Sequence, residues 1–312
     1  MAKKKAALKR VAKKATSKRA NRKKAETVSR LSDQKKPPKP KPLPQNKHPF
    51  QHDYYTDGTD VFWGIRRKLT GADRATFEPL NNTWAKDSKG VFCQYTRMRT
   101  ADPKTFQVLN YIFAKDKNNV HYIMGIAKGL DAMTFRVLDD GMYADDTLLR
   151  KPATQRNHRD FTHLGYGMDK NGVYFHNMMS GKPKAVRGAD PQTFQRLEFA
   201  YAKDAKHCYY RESRMKGSDP ATFSVLSEMF AKDQEQVYCC WEPIPEADPK
   251  TFKVLKPKQP SSIYFGRDKN HVFFHFDGVH PTTHPRKFKV VNGELATDGT
   301  VDWDGMDAKQ DT

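Results

Sequence analysis

The chain has 312 residues, enough for one large domain or two ordinary ones, and a formal net charge of +20. The charge is unevenly placed: residues 1–50 hold 18 Lys/Arg against 2 Asp/Glu, and the remainder nets only +4. No stretch reaches the roughly 18 apolar residues of a spanning helix, and the basic start lacks a signal sequence's apolar run. The expected address is therefore cytoplasmic, with no membrane among the partners.

The chain opens "MAKKKAALKRVAKKATSKRANRKK". Its cations are Lys3, Lys4, Lys5, Lys9, Arg10, Lys13, Lys14, Lys18, Arg19, Arg22, Lys23 and Lys24, with no acidic residue among them. Ala, Lys and Arg favour helix, but dense like charge and scarce apolar residues cannot offset the entropy of ordering. Residues 31–45, "LSDQKKPPKPKPLPQ", are Pro-rich and predict an extended spacer. Residues 1–50 are expected to form a disordered arm and linker. The twelve cations are the candidate nucleic-acid contacts, because neutralising phosphates requires only charge. A merely solubilising tail is the alternative.

From residue 53 onward two phrases alternate. One is an Asp-led turn beside aromatics, as in "AKDKNNVHY", "GMDKNGVYF", "AKDAKHCYY" and "GRDKNHVFF"; the other has the form A-D-P-x-T-F-x-x-L. Phe77 precedes Asp87 by ten residues, and the same interval joins Phe106 to Asp116, Phe194 to Asp204 and Phe223 to Asp233. Extending the interval through degenerate copies gives Asp57, Asp87, Asp116, Asp145, Asp169, Asp204, Asp233, Asp268 and Asp298. On this reading Asp145 heads a turn, and "RDFTHLGYGMDK" at 159–170 is a shortened TF phrase. Residues 51–305 then form one array of about eight units, followed by a tail, 306–312.

Asp and Asn suit tight turns, and the β-branched and aromatic run after each turn is too short for a helix, so the first phrase predicts a β-hairpin. In the second phrase, Asp fits an N-cap and Pro the first helical position. Asp73, Asp102, Asp190, Asp219 and Asp248 are thus expected to be structural caps, with Phe77, Phe106, Phe194, Phe223 and Phe252 in the core. Each unit reads as a hairpin, a capped corner and a third strand. The fold class is an all-β repeat protein of stacked hairpin units of about 30 residues. Three strands in that length favour an open β-solenoid-like array; the alternative is a small-bladed β-propeller.

These phrases, over about residues 53–303, resemble the DKNYY repeat family. The resemblance implies a bacterial repeat protein and carries no catalytic residue with it.

Candidate chemistry is sparse. Cys93, Cys208, Cys239 and Cys240 stand where sister units have Val, Tyr or Phe, and there is no CxxC pair, so they read as buried hydrophobes. "DKNG" at 169–172 resembles the start of an EF-hand loop, but position twelve is Gly181 rather than an acidic ligand. His271 and His275 flank one strand on matching faces, and His280 and His284 border prolines in a loop, so the cluster reads as packed or solvent-facing histidine rather than a metal site. No catalytic residue, metal or cofactor is assigned. The one irregular stretch, "RKPATQRNHRDFTHL" at 150–164, offers Arg150, Lys151, Arg156, His158 and Arg159 as candidate partner-binding residues. The function expected is non-catalytic binding of an as yet unidentified protein, of the kind an immunity or inhibitor protein performs, with the arm for electrostatic attachment. The alternative is a nucleic-acid-associated protein anchored through that arm.

Overall fold

The computed structural model describes residues 41–42, 53–64, 66–151, 153–156, 160–178, 181–257 and 262–309. The arm cations Lys3 to Lys24, together with His158 and Arg159, lie outside the described residues.

Eight small antiparallel sheets follow one another along the chain, each with its strands in sequence order. The third sheet shows the plan: Gln107–Val108, Phe113–Lys115, Val120–Tyr122 and Gly125–Ile126. Its central hairpin pairs Phe113 with Tyr122 and Lys115 with Val120, and the two outer strands flank it. The unit therefore has four strands where the sequence pattern suggested three. Four fit into about 30 residues because the outer strands are mostly only two residues long.

The fourth sheet departs from the plan. Its hairpin strands, Leu164–Asp169 and Gly172–Asn177, are twice the usual length. Residues 138–163 are inserted between its first strand, Arg136–Val137, and the hairpin, and they carry a one-turn helix at Asp146–Leu149. Asp145 heads no hairpin turn. It is the N-cap of that helix, its Oδ1 accepting the Leu148 N–H at 2.7 Å. Nor is 159–170 a shortened TF phrase, since Thr162 forms a bridge with Tyr143 inside the insertion. The interval of ten misleads here because Asp145 sits by chance where a turn is due.

The core is built between units. Phe194 stands between Tyr166 of the preceding hairpin and Tyr209 of its own, with ring centroids 5.4 and 5.7 Å apart. Phe77 likewise lies between Tyr54 and Phe92, Phe106 between Trp84 and His121, Phe223 between Tyr201 and Tyr238, and Phe252 between Phe230 and Phe273. Each TF corner is a wedge that joins two hairpins, which is how a unit too small to bury its own apolar face acquires a core. The residue two before the turn Asp is small for the same reason. Ala85, Ala114, Ala202 and Ala231 are fully buried there, and Gly167 and Gly266 take the place in two other units.

Lys side chains link consecutive units as well. The ammonium of Lys203 donates to the Pro220 carbonyl and that of Lys232 to the Pro249 carbonyl, both at 2.8 Å. Among the described residues, no helix is long and apolar enough to cross a membrane.

Candidate functional site

In a four-stranded meander the first and third turns lie at one end of the sheet. The second turn and the exit to the next unit lie at the other. The Asp-led turns and TF corners therefore share one end of the array, and the insertion lies at the opposite end.

At the Asp end the repeated polar residues bond one another. Asp204 Oδ1 accepts the N–H groups of Lys206 and His207 at 2.8 and 2.7 Å. Its Oδ2 accepts the N–H of Asp190 at 3.0 Å and the Tyr209 hydroxyl at 2.7 Å. Burial acts to raise this carboxyl, and those hydrogen bonds outweigh it, holding Asp204 below the usual carboxylate range. Asp190 in turn accepts the Gln192 N–H and the Thr193 hydroxyl, and Thr193 Oγ1 accepts the N–H of Ala205. The circuit recurs at Asp102, Asp219 and Asp248 with their partners Asp116, Asp233 and Asp268. Asp73 keeps its N–H bond to Asp87 and caps Ala75. A five-residue offset from the turn Asp also places His121, Tyr238 and Trp303 as donors to Asp116, Asp233 and Asp298. These side chains hold the fold and face one another rather than a ligand.

The four cysteines are buried and free; burial pushes the Cys93 thiol up to about 12 and the Cys208 thiol to about 11. Both are inert at neutral pH. His280 is buried, bonded to the Gly305 carbonyl and accepting the Thr282 N–H, and it belongs to the last interface of the stack. Among the described residues, no group of three or more His, Cys, Asp or Glu could hold a metal ion.

The opposite end is different. Eight residues beyond the turn Asp, four units carry a large apolar side chain in solvent among the described residues: Tyr95 is 39 % exposed, Met124 63 %, Trp241 40 % and Phe276 48 %. Trp241 bridges units, with its ring 6.0 Å from Tyr210 and 5.6 Å from Phe276. Tyr95 packs on Trp63 at 5.8 Å and carries the Arg67 guanidinium 4.7 Å above its ring. Sequence reasoning missed this row, although its signal was present in the constant offset from the turn Asp.

The insertion reaches across units at the same end. Asp146 Oδ2 accepts the Glu228 N–H at 2.9 Å, and the Arg150 guanidinium donates to the Pro257 carbonyl at 2.5 Å. Arg156 folds back onto the carbonyls of Lys151 and Leu149. Arg156 thus braces the insertion internally, Arg150 ties it to the seventh unit, and Lys151 sits half-buried beside them. Between the insertion and the fifth sheet lies a cleft of about 510 Å³ lined by Asp140, Met142, Tyr143, Leu149, Arg196 and Phe199. Beneath it Asp139 accepts the N–H groups of Gly141 and Tyr166 at 3.0 and 2.7 Å, and burial raises its carboxyl to about 6. The cleft offers apolar contact, the Arg196 guanidinium and the carboxyl groups of Asp140 and Glu198, and no nucleophile held against a base among its lining residues.

With this geometry in view, the family can be stated. The DKNYY family model matches residues 13–125 and 230–308. The chain belongs to the DKNYY family. The interval between the two matched segments contains the long-stranded fourth sheet and its insertion. No curated protein and no solved structure matches the chain.

Proposed function

We propose that this DKNYY protein is a non-catalytic binding module, working in the cytoplasm, whose loop end recognises a protein partner. The observation that carries the reading is the exposed row of Tyr95, Met124, Trp241 and Phe276 at one repeat position. A polar end whose side chains bond one another and an end that carries exposed apolar side chains divide scaffold from recognition surface. Exposed aromatic side chains that touch across units, as Trp241 and Phe276 do at 5.6 Å, are what the core of a protein interface is made of. The cleft beside the insertion adds a recessed element, as an inhibitor or immunity protein needs for a protruding partner loop. The basic arm supplies electrostatic attachment in this reading.

The test uses the full chain as bait in an extract of its own host, compared with a Trp241→Ala/Phe276→Ala double variant. Loss of one discrete protein from the variant's eluate, with an unchanged melting temperature, supports the reading. Capture that is unaffected by the double variant and disappears only when residues 1–30 are deleted overturns it, and transfers the function to the arm and its nucleic-acid contacts.

A further inference from the structure

The net charge of +4 beyond the arm conceals a second asymmetry. The segment from the outer fourth strand to the corner recurs at 67–72, 96–101, 125–130, 184–189 and 213–218, and these five stretches hold nine Lys/Arg and no Asp or Glu. The corresponding stretches of the sixth and seventh units, 242–247 and 278–283, hold no Lys or Arg and two Glu.

Strand alternation places this charge on one edge. Leu69, Met98, Ala127, Val186 and Met215 are buried at the inward positions. Arg97 and Arg99 flank Met98, and Arg214 and Lys216 flank Met215; these four point to solvent, as do Lys128 and Arg187. Successive stretches are neighbours in space. The Arg97 guanidinium lies 3.1 Å from where a Cβ of Gly71 would stand, one unit back. Lys184 of the fourth unit pairs with Glu212 at the end of the fifth hairpin, 2.7 Å away.

We propose that this edge is a phosphate-binding track for a nucleic-acid backbone, separate from the arm and bordering the loop end where Arg67 lies over Tyr95. Sheets stacked about 10 Å apart give five units a length of about 40 Å. That equals roughly twelve base-pair steps at about 3.4 Å each. Between the cations stand the exposed small residues Thr70, Gly71, Thr100, Gly129 and Gly217, whose size leaves room for phosphate oxygens. None of the large exposed apolar side chains lies within the track, so it lacks both the apolar core of a protein interface and the apolar face that enters a membrane. Contact by charge and small polar groups alone is the mark of sequence-independent backbone binding.

The experiment measures binding of the full chain to a 20-base-pair duplex across a salt series. Neutralising one phosphate-binding cation lowers the log–log salt slope by about 0.9. The variant R99Q/K128Q/R187Q/K216Q should lower it by roughly 3.6. A control, K250Q/K253Q/K287Q/K289Q, removes the same charge from exposed positions off the track and should lower it by less than about 1. The arm is present in all three proteins and cancels. Equal slopes for the two variants, or no change in either, overturn the track. So does weakened binding of the track variant to anionic phospholipid vesicles with its duplex slope intact. Should the quadruple variant melt early, R99Q and K216Q singly give the same answer, each lowering the slope by about 0.9.

Discussion

A Cβ placed on Gly266 would stand 2.2 Å from Cζ of Phe252, and the same construction on Gly167 meets Phe135 Cζ at 2.4 Å. In the sister units this site belongs to a buried Ala, so the corner wedge sits closer to its hairpin in the fourth and seventh units. The Gly–Phe pairs show that the wedge, and not β propensity, selects the small residue in "AKD" and "GRD".

Gly266→Ala should therefore destabilise by about 1–3 kcal/mol, the usual cost of overpacking a core, although Ala is the better strand former and stands at this place in sister units. Gly266→Ala combined with Phe252→Leu should recover part of the loss. Urea denaturation of the three proteins checks it; independent, additive losses would show that the ring and the glycine are not coupled.

The two classes of Asp should differ in cost. Asp190→Ala removes a cap, typically about 1 kcal/mol. Asp204→Ala removes the acceptor for three N–H groups and the Tyr209 hydroxyl. With unsatisfied buried donors costing about 1–3 kcal/mol each, its loss should be at least about 3 kcal/mol. Tyr209→Phe, which removes a hydroxyl shared between Asp204 and the Gly188 carbonyl, should cost about 1 kcal/mol. Phe194→Ala should cost roughly 3–5 kcal/mol. Equal melting temperatures for D190A and D204A would refute the shared circuit.

Half-buried Asp139 and buried His176 titrate in opposite senses between pH 4 and 6.5. Burial lifts Asp139 to about 6, above its unfolded value of about 3.9. The folded state then keeps a proton that the unfolded chain has lost, so this term falls as pH rises from about 4 to 6. Burial lowers His176 to about 4 from an unfolded value of about 6.5, reinforced by His163. Here the unfolded chain binds the extra proton, so stability rises with pH over nearly the same window. The two terms offset one another in the intact protein. Asp139→Asn should leave a melting temperature that climbs between pH 4 and 6.5, and His176→Phe one that declines between pH 4 and 6. Parallel profiles for the two variants would rule this pairing out.

The fold was legible because the wedge and the turn circuit need the same residue types at the same places in nearly every unit. Asp204, Thr193 and Phe194 are repeated because the geometry they satisfy is repeated. The strand count was hidden because an outer strand such as Gln107–Val108 is only two residues long and carries no alternation. The candidate site was harder to see. Trp241 and Phe276 look in sequence like further hairpin aromatics, and only their exposure separates them from Tyr238 and Phe273, which are fully buried. Arg150 stands out through its irregular surroundings, yet its guanidinium is used on the Pro257 carbonyl, 107 residues away, a partner that no local pattern could name. Asp145 escapes a correct reading because spacing alone cannot tell a hairpin turn from a helix cap.

The insertion's attachment gives the last prediction. Asp146 is buried, and burial raises its carboxyl above the usual range even though the Glu228 N–H donates to it. Asp146→Asn keeps an acceptor oxygen and removes a charge that burial disfavours, so it should change stability by less than about 0.5 kcal/mol. Asp146→Ala orphans the Glu228 N–H and should cost about 1–3 kcal/mol. The loss should be local, because the hairpin pairing of Tyr166 with Phe175 does not pass through the insertion. Hydrogen exchange should then quicken at Glu228 and across 146–151 in D146A, while the amides of Tyr209 and Tyr238 stay protected. Uniform acceleration through all eight sheets would mean that the insertion is part of the common core and not a strap laid over it.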